Sequence, residues 1–182
     1  MYDDEKSFKE MLDFKSPATV TLRYHKKVGN TKVTAFFENA GHRFVATEDA
    51  IYSIHEEIRT NQQTNIPEIY SYFTKRSGSG VRSQNAVVNV NADVFFYDGV
   101  SVRSLSQSMQ NTIVDTTKSL SIQRELDCLI REQRWASMTF EYPYVKLWVS
   151  EKGGYNDIAF IYNVENDAWS KQVGFISDFA TS

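Results

Sequence analysis

The sequence contains one cysteine, Cys128, so it has no internal disulfide framework. Its histidines are His25, His42 and His55. None stands within ligand spacing of another or of Cys128, and neither HExxH nor CxxC occurs, which removes the common zinc patterns. P-loop, GxGxxG and GxSxG sequences are also missing, so phosphate-cradling and hydrolase readings lose their usual signatures. No apolar run approaches the roughly 18 residues of a membrane span. The opening Met1-Tyr2-Asp3-Asp4-Glu5-Lys6 is acidic and polar, without the apolar stretch of a signal peptide. Charge is nearly balanced: 20 Lys and Arg face 23 Asp and Glu, a formal net charge of -3. That argues against a surface made wholly for nucleic acid or membrane. The expectation is a soluble, reduced chain of cytosolic synthesis with no catalytic residues, no metal and no cofactor.

What the sequence has is length and aromatic strands. Its 182 residues suffice for a core without staples, and 12 Phe, 10 Tyr and 3 Trp help to fill one. Asp3 to Phe14 has helical spacing at Phe8, Met11 and Leu12, and Ser16-Pro17 ends it. From Thr19 the period changes to two. Val20, Leu22 and Tyr24 alternate with polar residues. After Val28-Gly29-Asn30-Thr31, Val33, Ala35 and Phe37 alternate with Lys32, Thr34 and Phe36. This pattern predicts a β-hairpin across the Gly-Asn turn.

Between Phe44 and Ile58 two readings compete. Ile51, Ile54 and Ile58 fit a helix behind Thr47, and Ala50 to Ile54 also fits a strand returning from a tight turn. Asn61 to Asn65 forms a polar loop bounded by Pro67, and Ile69 to Phe73 a short strand. Ser77-Gly78-Ser79-Gly80 reads as a flexible loop rather than an anion cradle, because a strand follows it instead of a helix. Val87 to Tyr97 reads as one strand, turning at Asp98-Gly99 into Val100 to Leu105. Thr116 to Arg134 carries an apolar stripe at Ile122, Leu126, Leu129 and Ile130, which predicts the one long helix, with Cys128 buried and inert near the stripe. Ala136 to Tyr142, Val145 to Val149, Ile158 to Tyr162 and a strand opening at Trp169 form a meander.

The fold class expected is mainly β with one or two helices, arranged as antiparallel meanders. One β-rich domain spans 1–182: an N-terminal helical arm over 1–17, hairpins over 18–110, a helix over 111–134 and a four-strand meander over 135–178. Strand, turn and strand recur near 44–54, 94–105 and 158–170, close to the roughly 50 residues of a propeller blade or a multiple of it.

Acidic pairs at Asp3-Asp4, Glu56-Glu57 and Glu165 with Asp167 match glycosidase carboxylates by residue type alone; exposed turn or helix positions explain each. Arg23 to Lys27 mixes basic and aromatic side chains. It can stack bases and bind phosphates of single-stranded nucleic acid, but a solvated strand end blunted by Lys26 and Lys27 is the commoner explanation of such a run. Trp148 falls in the phase opposite to Val145, Leu147 and Val149, and Trp169 follows a turn. Together with Tyr162 they are the candidate interface residues; a subunit contact and a sugar platform are both open for them, with core packing the default.

The run Asp93 to Ser106, with its Asp98-Gly99 turn and Val102-Arg103-Ser104-Leu105, is followed by a polar stretch. Then come Tyr144 to Val149, Asp157 to Asn163, and Asp167-Ala168-Trp169-Ser170. This succession, over about residues 40–175, resembles the β-propeller portion of tail nozzle (tail tubular or head-completion) proteins of short-tailed bacteriophages. The resemblance favours the strand reading at 44–54 and implies propeller-like blades, about three at most in this length, so an incomplete propeller is allowed for. It implies a structural virion component of a phage tail or head-to-tail connector, made in the host cytoplasm. Such a component works through subunit interfaces in a homo-oligomeric ring with portal, adaptor or other tail proteins, and DNA passes only transiently. No catalytic residue is implied. The alternative from the residues themselves is a β-rich ligand-binding module for carbohydrate or single-stranded nucleic acid.

Overall fold

The structure is a computed structural model that describes residues 21–24, 31–63, 65–107, 113–129, 135–151 and 155–174. The predicted helix at Asp3 to Phe14, and His25 with the basic run after it, lie outside the described residues. The chain divides into two compact units: Met1–Lys27 with Ile54–Thr74, and Val28–Ser53 with Lys75–Ser182. The described strands are β1 (Thr21–Tyr24), β2 (Val33–Asn39), β3 (His42–Thr47), β4 (Ile51–Thr60) and β5 (Pro67–Ser77), then β6 (Val87–Val90), β7 (Asp93–Tyr97), β8 (Val102–Gln107) and β9 (Ile113–Thr117), and last β10 (Ser137–Glu141), β11 (Tyr144–Val149), β12 (Ile158–Asn163) and β13 (Ala168–Val173). The fold is mainly β, as the alternating sequence predicts. The competing readings at 44–58 resolve as strands.

Three expectations are corrected. The hairpin joining Thr19–His25 to Val33–Phe37 does not form. β1 runs parallel to β5, from Thr21↔Glu68 to Tyr24↔Ser71. β2 pairs with β3, from Phe36↔Val45 to Asn39↔His42. Ala40 (φ 49) and Gly41 (φ 77) make the β2–β3 turn, and a positive-φ pair suits the right-handed twist of a tight hairpin. That closure is much shorter than the one through Gly29-Asn30, and shorter loops cost less chain entropy.

Val87 to Tyr97 is two strands rather than one. Asn91 takes φ 56, so the chain reverses and Val90 faces Asp93. Asparagine is among the few side chains that tolerate this conformation.

The long helix over 111–134 is also replaced. Ile113–Thr117 is the edge strand β9, paired with β8 from Gln107↔Ile113 to Arg103↔Thr117. Its β-branched Ile113, Val114, Thr116 and Thr117 favour extended backbone. A 3-10 turn at Leu120–Ile122 leads into one short helix, α1 (Gln123–Asp127). Of the predicted stripe, Ile122 and Leu126 are buried and Leu129 packs partly against the core. Cys128 is exposed, not buried.

In the larger unit, β6-β7-β8-β9 and β10-β11-β12-β13 are antiparallel meanders, and β2, β3 and the start of β4 begin a third. The first strands lie side by side: β6 lies against β2 on one flank and β10 on the other. Each meander therefore meets the next through its first strand. This is the order of propeller blades. We refer to them as blade 1 (from β2), blade 2 (β6 to β9) and blade 3 (β10 to β13).

Blade 2 is buried on both faces. Val94, Phe95, Phe96 and Tyr97 are all at most 3% exposed. Phe95 meets Tyr162 of blade 3 with ring centroids 5.6 Å apart. On the opposite face, Arg103 and Asp115 pair at 2.8 Å, and Ser77 of β5 donates its hydroxyl to Asp115 at 2.6 Å. This is why the segment reads as a continuous apolar run. Blade 3 alternates instead: Val145, Leu147 and Val149 are buried, while Tyr144, Lys146 and Trp148 face the other way.

Polar side chains tie the inner ends together. Gln84 accepts from the Phe36 N–H at 2.8 Å and donates to the Phe36 carbonyl at 2.9 Å. Asn89 donates to the Glu38 carbonyl at 2.8 Å, and Asn39 donates to the Asp93 carbonyl at 3.3 Å. The predicted flexible loop at Ser77 to Gly80 is held at its end. The Val81 N–H donates to the Thr47 carbonyl at 3.0 Å, and a Cβ on Gly80 would come within 2.1 Å of that oxygen.

Candidate interaction surface

The candidate residues divide between the two faces of blade 3. Tyr162 is 3% exposed and faces blade 2. Its hydroxyl donates to Asp167, and burial first, then that hydrogen bond, pushes its pKa far above the usual tyrosine range. Trp169 lies opposite Tyr162 in the β12–β13 register, with centroids 5.0 Å apart, and its indole N–H donates to the Lys118 carbonyl at 2.9 Å. Tyr162 thus packs within the core of this chain. Trp169 is half-buried beside it and packs against the core.

Trp148 is on the other face. It stands between Ser137 of β10 and Ala159 of β12, and its indole N–H reaches the Thr139 hydroxyl at 3.3 Å. Tyr144, 42% exposed, and Lys146 share this face, as does Ile161 opposite Lys146. Lys146 pairs with Glu141 at 3.0 Å. The result is an aromatic residue between small neighbours, with an acid–base pair beside it.

Blade 1 also carries an aromatic residue on the face turned from the core, although Val45 and Thr47 on that face are buried. Ala35, Phe37, Phe44 and Ala46 point to the common core. Phe36 points away and is 60% exposed. Val45 faces Phe36 across the strands, and Glu38 faces Arg43 one step along. Phe36 was not among the sequence candidates, although its alternation with Ala35 and Phe37 put it in the polar phase. That signal, an aromatic ring in a solvent-facing position, is the same one that marks Trp148.

The remaining candidates have structural partners. Glu57 binds Arg59 at 2.7 Å, Tyr142 donates to Glu165, and His55 stacks on Tyr72 with centroids 5.0 Å apart. Among the described residues, no group of three or more His, Cys, Asp and Glu is placed to hold a metal, and no helix is long and apolar enough to cross a membrane. The inner strands β2, β6 and β10 carry Glu38 and Glu141 and no lysine or arginine.

Compared with known proteins, the chain matches no family model and no curated protein. Its geometry is that of stacked sheets with two aromatic-bearing outer faces.

Proposed function

We propose that this chain is a structural virion component of a phage tail or head-to-tail connector, acting through subunit interfaces. The observation that carries the reading is the row of blades, in which blade 2 is covered on both sides while blades 1 and 3 carry Phe36 and Trp148 on the faces turned away from it. Interfaces place aromatic residues at their centres and polar ones around them, which is the composition of these two faces. The segments that resemble tail nozzle proteins supply strands of blades 2 and 3: Asp93 to Ser106 spans β7 and β8, and Tyr144 to Ser170 spans β11, β12 and the start of β13.

Co-expression with the portal and adaptor rings of a short-tailed phage tests the reading. The expected result is co-purification of the chain with those rings at fixed stoichiometry, unaffected by nuclease. Failure to associate, together with saturable binding of a glycan or single-stranded DNA that quenches tryptophan fluorescence, would replace it with the ligand-binding alternative.

A further inference from the structure

We propose that the far end of β4, Glu56 to Thr60, pairs antiparallel with the same stretch of a second copy of this chain, centred on Ile58. In the first sheet β4 lies between β5 and β3. β4 has 10 residues and β3 has 6, and the Thr47 N–H donates to the Ala50 carbonyl where β3 turns straight back into β4. β3 therefore runs out before β4 does. From Glu56 to Thr60 every residue of β4 is exposed, Ile58 at 72%. Such a stretch keeps unpaired N–H and C=O groups along one side, and these are a template for a further strand.

The residues of the stretch identify the strand that fits it. His55 stacks on Tyr72, Arg59 lies 5.5 Å from the centre of the Tyr70 ring, and Glu57 pairs with Arg59 at 2.7 Å, so these side chains share one face of β4. Glu56, Ile58 and Thr60 take the other face. Set antiparallel about Ile58, two copies bring Ile58 opposite Ile58, Glu57 opposite Arg59 and Glu56 opposite Thr60, the last two pairs each occurring twice. Two exposed isoleucines then cover each other on one face. On the other face two acids and two bases alternate, and opposite charges directly across a ladder stabilise it. The outer edges of blades 2 and 3 lack this match. β9 paired about its own centre would set Asp115 against itself, and Asp115 is already bound to Arg103. β13 carries one charge, Lys171, which pairs with Glu125 at 3.1 Å. The β4 contact is isologous and closed, so it joins two chains and does not by itself build a ring. It goes beyond the connector reading and does not rest on it.

The test is sedimentation equilibrium of the purified chain over about 10–1,000 µM, a range set for the weak association of an interface smaller than standard size. The mass of the wild-type chain is expected to rise with concentration from 21.0 kDa towards twice that value. Glu57→Arg places base against base at both charged pairs, and Arg59→Glu places acid against acid. Each variant alone is expected to raise the dissociation constant at least about tenfold. An equimolar mixture of the two variants has opposite charges at both pairs again and is expected to recover the dimer; misfolded variants would not recover it. A wild-type chain that stays monomeric at the highest concentration, association unchanged by either charge reversal, or a mixture that stays monomeric overturns the pairing. Capture by the portal and adaptor rings is measured separately, so the connector reading stands or falls on its own result.

Discussion

Gln84 makes both of its amide hydrogen bonds to the backbone of one residue, Phe36, taking the place of a neighbouring strand at the inner edge of β2. A free strand edge is a template for unwanted pairing, and a side chain that satisfies both backbone groups closes it at that point. The same residue whose ring faces outward from blade 1 therefore has its backbone held by the turn at Gln84–Ala86 that leads into blade 2.

Replacing Gln84 by Leu removes both bonds at an exposed site where water can substitute. The expected loss is about 1–2 kcal/mol of unfolding free energy in urea. Gln84→Glu keeps the acceptor for the Phe36 N–H and loses the donor to its carbonyl, so its loss should exceed that of a neutral surface substitution. No loss in either variant would mean that the amide contributes nothing to the junction.

Gly80 is required by space rather than by conformational freedom. Its missing Cβ would fall 2.1 Å from the Thr47 carbonyl oxygen and 2.5 Å from the Asp49 N. Gly80→Ala must move backbone and should cost at least about 2 kcal/mol. Gly78→Ala, with no atom within 4 Å of the added methyl, is the control and should change stability by less than about 0.5 kcal/mol. Thermal melts of the two variants should differ accordingly.

Tyr97 gives an alkaline signature. Burial, aided by Asp98 and opposed by Arg82, pushes its pKa up to about 12. The unfolded chain ionises near 10, so the folded state holds the proton more tightly. The resulting stabilisation is complete below pH 10 and is lost as pH rises from 10 towards 12. Unfolding free energy should fall across that window, and Tyr97→Phe should flatten the fall. Absorbance at alkaline pH should show Tyr97 and Tyr162 titrating after the exposed tyrosines.

The sequence made the last meander legible because period-two alternation is strongest where only one face is buried, as in β11. It also revealed Trp148 as the odd residue of that strand. It misled where both faces are buried: Val87 to Tyr97 is apolar almost throughout, and a lone Asn91 carried the turn. The helix over 111–134 failed for another reason. Ile122 and Leu126 do share a helical face, but the β-branched run before them found a partner strand in β8, a long-range gain that local spacing does not record. The first hairpin failed because two turn signals competed, and Ala40-Gly41 closed the shorter loop. Phe36 and Trp148 were both visible as aromatics in the polar phase, but only a fold could show that they lie on opposite ends of one row of blades.

The most direct measurement of the central claim is electron microscopy of the chain mixed with the portal and adaptor rings of a short-tailed phage. The account predicts class averages in which added density continues the axis of those rings. Bare portal and adaptor rings, with the chain left unbound in solution, would contradict it.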